Sequence, residues 1–596
     1  MAWIHPISAN VGETADVLGG KGYGLVVLRR LGLPVPPGFV IGTGACRAFL
    51  RDGRLPEGLD AELAAAVRDL ETVTGRRLGG GERPLTVSVR SGGSVSMPGM
   101  MNTILNLGLT AGTTAGLAAE TGDPRFALDA RLRFLSGFAS AVHGVEPGVL
   151  ESVARGATGD EAAGRETAGR GTGGAGEDEK SGDGGEEARL AGMIRAVEAV
   201  VRERAGEPVP DDATAQLEPA VRAVFSSWDT PRAVTYRELN GIPHDLGTAV
   251  VVQVMVYGNR DGHSGTGVAF SRDPNTGENV PFGEVLFGRQ GEDVVSGRSA
   301  TRPLSELAGR EPAVWAGLLD AVNRIEEHYR DTCYVEFTFE AGTLWILQVR
   351  PGGLVGRAAV RAAVDLADEG VIGRRDALLR VSPRHLRHVR TPRLDVTGAT
   401  DVLARGTGAC PGVATGRVAT TADRAARMTA DGPVILVRPY TSPLDMHGLA
   451  AAAGVVTAVG GPASHAAVVA RAMGKPAVVG AAGLTVDVAA GCVRAGGRTV
   501  PEGTIVTIDG TGGEVVVGSP RVVTAATDPH LRRLLEWADE VSGEGADDGS
   551  DGAPRGGPDG GPYGGSGGAP TGGSDGGSEG DEVERLTAAQ AALRRA

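Results

Sequence analysis

Two stretches that cannot build a core divide this 596-residue chain and limit what it can fold into. Residues 156–187, "GATGDEAAGRETAGRGTGGAGEDEKSGDGGEE", and residues 542–580, rich in glycine, serine, aspartate and proline, carry almost no large apolar side chains. Neither buries enough surface to offset its chain entropy, so both are expected to be disordered. The first reads as a surface insertion. The second opens a low-complexity tail, residues 542–596, that ends in a short helix, "DEVERLTAAQAALRRA". The remaining sequence is too long for one core, and two to four domains are expected. Residues 1–351 mix strands ("LTVSVRS", "TAVVVQVMV", "TLWILQVR") with amphipathic helices such as residues 312–330, the pattern of an α/β enzyme domain. Residues 391–520 alternate short strands ("GRVAT", "PVILVR", "GVVTAV", "PAVVG", "TIVTIDG") with small-residue turns and one helix, a compact β-rich α/β unit. Between them, residues 352–390 read as two linker helices with Gly370 and Gly373 near their junction. Residues 521–541 follow the second unit.

Charge narrows the function classes. A net charge of −14 leaves no basic stripe for nucleic acid or an anionic membrane, so any phosphate site is small and local. The start, "MAWIHPISAN", has no signal-peptide pattern and no run is long and apolar enough to span a bilayer, so a cytoplasmic location is expected. Cys46, Cys333, Cys410 and Cys492 are scattered, unlike a zinc site or a disulfide framework, and are expected to be reduced. Only three of the 59 basic residues are lysine; Lys180 lies in the acidic insertion, but Lys21 sits in "LGGKGYG" and Lys475 in "GGPASHAAVVARAMGKPAVVG". Lysine is a compact point charge where arginine is a planar fork, and this weighs mildly for a functional role of Lys21 and Lys475.

The second of those stretches places one histidine where a strand meets a helix. Gly460 and Gly461 follow "GVVTAV", Ser464 stands at the N-cap position, and His465 opens a helix predicted to end near Met473, before Gly474 and Pro476. An imidazole there lies at the positive end of the helix, where a phosphoryl group carried on the ring is favoured. A neutral imidazole is a competent nucleophile near pH 7 when its other nitrogen is held. Taken alone, the histidine is better read as a structural residue; metal binding is disfavoured, with no second histidine or cysteine three to five residues away.

This stretch resembles the phosphohistidine loop of the phosphoenolpyruvate-utilising enzymes, most of all the pyruvate phosphate dikinases. The resemblance runs on through "GGKGYGLVVLRRLGLPVPPGFVI", "LTVSVRSGGSVSMPGMMNTILNLGL", "GTAVVVQVMVYGNRDGHSGTGVAFSRDPNTGE", "YVEFTFEAGTLWILQVR" and "VILVRPYTSPLDM". It implies an ATP-grasp nucleotide-binding domain over residues 1–351 and a swivelling β/α phosphohistidine domain over residues 391–520. It also implies ATP and inorganic phosphate as substrates, Mg²⁺ as cofactor, His465 as the phosphorylated catalytic residue, and a nucleotide site of Lys21, Arg90, Glu336, Gln348 and Arg350, with Glu336 and Gln348 at the metal. The residues give partial support. "YVEFTFEAGTLWILQVR" reads as a hairpin in which Ile346, Gln348 and Arg350 share a face, and Glu336 joins them if the register sets it opposite Gln348. "SGTGVAFSRDP" reads as a flexible loop that closes over phosphates.

Three departures qualify the resemblance. Where the family has an aspartate two residues before the glutamate, this chain has Tyr334, which removes a carboxylate from the implied metal site; Asp331 is the nearby candidate to compensate. The family's threonine two residues before the histidine is Ala463, so the phosphorylation control of plant relatives cannot act there. "HLRRLLEWADEV" resembles the lead into a pyruvate-binding barrel, but no eight-stranded repeat follows. The sequence therefore predicts phosphorylation of His465 with release of AMP, and transfer to pyruvate only with a barrel protein supplied separately. A nucleotide-binding regulator and a phosphotransferase with another acceptor stay open as alternatives, as does oligomerisation.

Overall fold

A computed structural model describes residues 2–156, 183–547 and 579–595, apart from positions 96, 98, 296, 298, 387, 388, 390, 391, 397–399 and 525–527. Most of the expected insertion and tail lies outside these residues, although 183–187 already belong to the helix Asp183–Ala205.

The N-terminal unit holds two five-stranded antiparallel sheets. In the first, the spatial order is Ile4–Pro6, Gly38–Ile41, Ala249–Val254, Val87–Gly92, Thr103–Leu107. The central strand Ala249–Val254 is buried on both faces, which is why "AVVVQV" reads as a continuous apolar run. Val250 and Val252 point into one core with Phe134, Phe138 and Phe225, while Ala249 and Val251 point into another with Leu18, Leu25 and Leu28. In the second sheet the order is Arg302–Pro303, Phe282–Phe287, Gly265–Phe270, Cys333–Glu340, Thr343–Pro351. Val335, Phe337 and Phe339 turn toward the helix Pro312–Tyr329, which meets them with Val314, Leu318, Ala321 and Ile325. The alternate residues Tyr334, Glu336 and Thr338 face a cavity of about 1090 Å³ between the sheets.

Gly265–Phe270, expected as part of a phosphate-covering loop, is the central strand of the second sheet. Its glycines are spaced by two because aromatic rings cover them: a β-carbon at Gly267 would meet the Phe337 ring at 2.6 Å. The loop that follows turns away from the cavity. Buried Arg272 bridges Glu326 (2.7 Å) and the linker's Glu369 (2.6 Å), Glu278 pairs with Arg361 (3.0 Å), and Asn275 donates to the Gly408 carbonyl (2.9 Å).

Residues 402–517 form the histidine-bearing unit around an eight-stranded sheet, with Val413–Ala419, Val434–Arg438, Gly454–Thr457 and Ala477–Val479 as its parallel centre. Three helices, Ala422–Met428, Met446–Ala451 and His465–Met473, cover one face, where one had been expected; the first two are too short to show a helical period. The small strands Leu484–Asp487, Cys492–Ala495 and Arg498–Pro501 cover the other face. Both stems of this unit meet in a two-stranded ribbon, Pro392–Leu394 with Val522–Thr524.

Beneath the ribbon lies a helical bundle. The linker helices Gly356–Asp368 and Arg374–Arg380 pack with Pro529–Asp547 and with Glu579–Arg595, the helix expected at the end of the tail. That last helix buries Leu586, Ala589 and Leu593, and Gln590 donates to the Leu378 and Val381 carbonyls at 2.7 and 2.8 Å, satisfying groups at the end of a linker helix. No described helix is long and apolar enough to cross a membrane.

The Arg272 bridge ties the linker to the N-terminal unit. Arg272→Ala leaves two partly solvated carboxylates without their cation, and a loss of about 2–3 kcal/mol is expected in urea unfolding, below the full cost for a wholly buried pair. An unchanged unfolding midpoint would show the bridge to be inert.

Candidate active site

The cavity between the two sheets collects the residues the sequence singled out. Lys21, Arg90, Glu336, Gln348 and Arg350 all line it. Lys21 follows a break at Gly19 (φ +67°) in the helix Ala15–Arg30. A β-carbon at Gly19 would overlap the Gly92 carbonyl, so the glycine run exists to seat this helix directly on the loop after Val87–Gly92. Gly20 donates to the Gly93 carbonyl at 2.9 Å. Burial first, then Arg90, hold the Lys21 ammonium down to about 7 against the pull of Glu336, with Arg350 lowering it further.

Arg90 comes from Val87–Gly92, directs Nη2 to Gln253 Oε1 and the Leu347 carbonyl (3.3 Å), and leaves Nε buried without a partner. Surplus buried donors beside an ammonium are what a nucleotide's phosphates would satisfy. Glu336 pairs in register with Gln348, as the hairpin reading required. Arg350 lies 3.7 Å from Glu336 Oε1. Ile346, however, does not share their face. A bulge at Leu347 sets Ile346 opposite Phe337 and sends it into the core.

Among the described residues no group of three His, Cys, Asp or Glu side chains is placed to hold a metal ion. Glu336 and Gln348, opposite one another in register, could hold Mg²⁺ through their oxygens, and the nucleotide's phosphates and water would complete its shell. The Gln348 amide oxygen accepts from Arg350 Nε (2.6 Å) and Nη2 (2.8 Å). Asp331, the residue expected to compensate for Tyr334, lies 3.1 Å from Arg380 of the linker and accepts from the Thr332 amide at 2.8 Å. Burial nonetheless raises its carboxyl.

His465 opens the helix His465–Met473, and Gly474 closes it in the left-handed conformation, as the sequence indicated. Ser464 occupies the N-cap position without making a capping hydrogen bond, and its Oγ is buried and unpaired. The ring is 7% exposed. Nδ1 lies 3.2 Å from the Thr441 hydroxyl, and Nε2 has no partner. Burial lowers the imidazole to about 4, with Asp445 pulling the other way, so the ring is neutral at pH 7.

The histidine-bearing unit is docked on the cavity's rim. A β-carbon at Gly99, which lines the cavity, would lie 3.5 Å from His465 Cδ2 and 3.8 Å from Nε2. Arg471 of the same helix also lines the cavity and donates to the Ala409 and Pro462 carbonyls at 2.9 and 2.5 Å. Glu284, on Phe282–Phe287, crosses the seam: it accepts from the Ala463 amide (2.5 Å) and from the Thr301 hydroxyl, and a side chain at Gly461 would run into its carboxylate. Burial raises the Glu284 carboxyl despite those bonds. Sequence reasoning missed Thr441, Glu284 and Arg471. Their roles arise from contacts between segments far apart in the chain, and only the closeness of Arg471 to His465 offered a local signal.

Comparison with known proteins finds two modules in this chain. The family model described as the AMP/ATP-binding domain of pyruvate phosphate dikinase matches residues 15–79 and 52–303, and that of the mobile domain of PEP-utilising enzymes matches residues 430–513. The chain is 40% identical over 561 residues to pyruvate, phosphate dikinase of Rhizobium meliloti, covering 90% of this chain and 60% of the relative. Against pyruvate, phosphate dikinase 2 of Zea mays it is 42% identical over 536 residues, covering 88% and 58%. Against the enzyme of Clostridium symbiosum it is 38% identical over 542 residues, covering 90% and 60%. The chain thus spans about 60% of the length of the curated relatives it matches. With both modules in order and this identity over nine-tenths of its length, the chain belongs to the pyruvate phosphate dikinase family of PEP-utilising enzymes.

Proposed function

We propose that this chain is a phosphotransferase in which an ATP-grasp domain binds ATP with Mg²⁺ and Nε2 of His465 attacks the β-phosphorus, taking the β,γ-pyrophosphoryl group and releasing AMP; removal of the γ-phosphoryl group then leaves phosphohistidine. In the scheme the relatives' name suggests, inorganic phosphate is the second acceptor and leaves as pyrophosphate; the phosphohistidine unit then swivels and gives its phosphoryl group to pyruvate on a separate barrel protein. The observation that carries the reading is the unpaired, neutral Nε2 of His465 beside Gly99 at the rim of a cavity lined by Lys21, Arg90 and Arg350.

The chemistry needs little covalent assistance from the protein. The Thr441 hydroxyl can accept a proton-bearing Nδ1, which leaves the Nε2 lone pair free to attack phosphorus as the bond to the leaving oxygen breaks. Lys21, Arg90 and Arg350 offset the charge that spreads over the equatorial and leaving oxygens. Mg²⁺ held by Glu336 and Gln348 would supply further neutralisation of the phosphates. Burial of the ring keeps water from competing for the phosphoryl group.

Tyr334 favours a second reading, a nucleotide-binding regulator without transfer, because it takes the place of a carboxylate at the implied metal site. ATP labelled at the β position separates the two. With Mg²⁺ and phosphate, the phosphotransferase gains acid-labile label that is absent from His465→Ala, whereas the regulator binds ATP and forms no AMP.

A pH profile tests the cation assignment. Lys21, held to about 7, loses its proton in the free protein as pH rises, so ATP affinity should weaken above pH 7, approaching about tenfold per pH unit. His465 is neutral down to about pH 4 while docked and adds no acid limb above about pH 5. Calorimetry from pH 6 to 8.5 reads the slope, and Lys21→Arg should flatten it; an equal slope in that variant contradicts the assignment.

A further inference from the structure

The two departures at positions 334 and 463 meet across the domain seam. Tyr334 and Ala463 belong to one buried apolar cluster with Val268, Phe270, Leu286 and Val294, in which Ala463 is the contribution of the histidine-bearing unit. Ala463 is 1% exposed and Tyr334 8%. The Tyr334 and Phe270 rings meet edge to face, 5.1 Å between centroids at 68°. Guanidinium groups flank this pair from opposite units: Arg350 lies 5.5 Å from the Tyr334 ring and Arg471 lies 5.6 Å from the Phe270 ring. The phenol donates weakly to Glu336 at 3.4 Å.

We propose that Tyr334 and Phe270 form an aromatic seat that holds the phosphohistidine loop on the N-terminal unit, making Tyr334 a positioning residue for transfer to His465. Arg471 joins the seat to that loop, since the guanidinium that faces Phe270 also holds the Pro462 carbonyl three residues before His465. Docking buries the rings and Ala463 together, and a hydroxyl or charge at position 463 would enter the cluster without a partner built for it. A carboxylate at 334 would stand near both Glu336 and Glu284, whereas the neutral ring keeps the two guanidinium groups without adding that repulsion.

The consequence for transfer rests on the proposed function; the docking does not, and the test separates them. Spin labels at Arg289→Cys and Val488→Cys, exposed positions on the two units, report the docked population in the full chain without nucleotide. Tyr334→Ala should lower the docked-to-undocked ratio at least about threefold and slow His465 phosphorylation at saturating ATP about tenfold, a loss of rate larger than any loss of ATP affinity. Tyr334→Phe should restore both. Ala463→Asp, placed on the other face of the seam, should undock the units in the same way and serves if Tyr334→Ala folds poorly. Unchanged label distances in both variants, or a loss of ATP affinity equal to the loss of rate with docking intact, would overturn the proposal. If the wild type takes no label at His465, the phosphotransfer reading fails and the distances alone decide the seat.

Discussion

The Thr441 hydroxyl against Nδ1 of His465 is the contact on which the site depends. It engages Nδ1 and leaves Nε2 without a partner, and burial keeps the ring neutral at pH 7. In the proposed reaction the nucleophile must be kept from water and brought to an electrophile. Docking on the rim of the cavity buries the ring and sets Nε2 beside Gly99.

The docked state is held by opposing terms. The apolar cluster through Tyr334 and Ala463, the Glu284 bond to the Ala463 amide and the Asn275 bond to Gly408 favour it. Against them stands a buried carboxylate, Glu284, whose desolvation its two hydrogen bonds offset only in part. A phosphoryl group on His465 would bring more negative charge toward that carboxylate, so the same seam that receives the neutral ring is weakened by the charged one. The ribbon Pro392–Leu394 with Val522–Thr524 joins this unit to a base held by Arg272, Glu369 and the last helix.

Much of this was legible in the sequence. The helix from His465 to Gly474 follows from its glycines and small apolar residues, and the pairing of Glu336 with Gln348 followed once the hairpin was recognised. What escaped has particular causes. Alternation cannot announce a bulge, so Ile346 was placed on the wrong face. Gly265 and Gly267 resemble a flexible loop, yet they are glycines because Phe339 and Phe337 lie over them. The terminal helix reads as a polar tail until Leu586 and Leu593 find a surface assembled from segments about 50 and 200 residues earlier. Thr441 and Glu284 act across the fold, where no local pattern points to them.

The most direct test is to locate the phosphate on the ring. After reaction with ATP, phosphate and Mg²⁺, nitrogen–phosphorus coupling in protein labelled with ¹⁵N-histidine should place a single phosphoryl group on Nε2 of His465. Phosphate on Nδ1, or on another residue with His465 unmodified, would contradict the account.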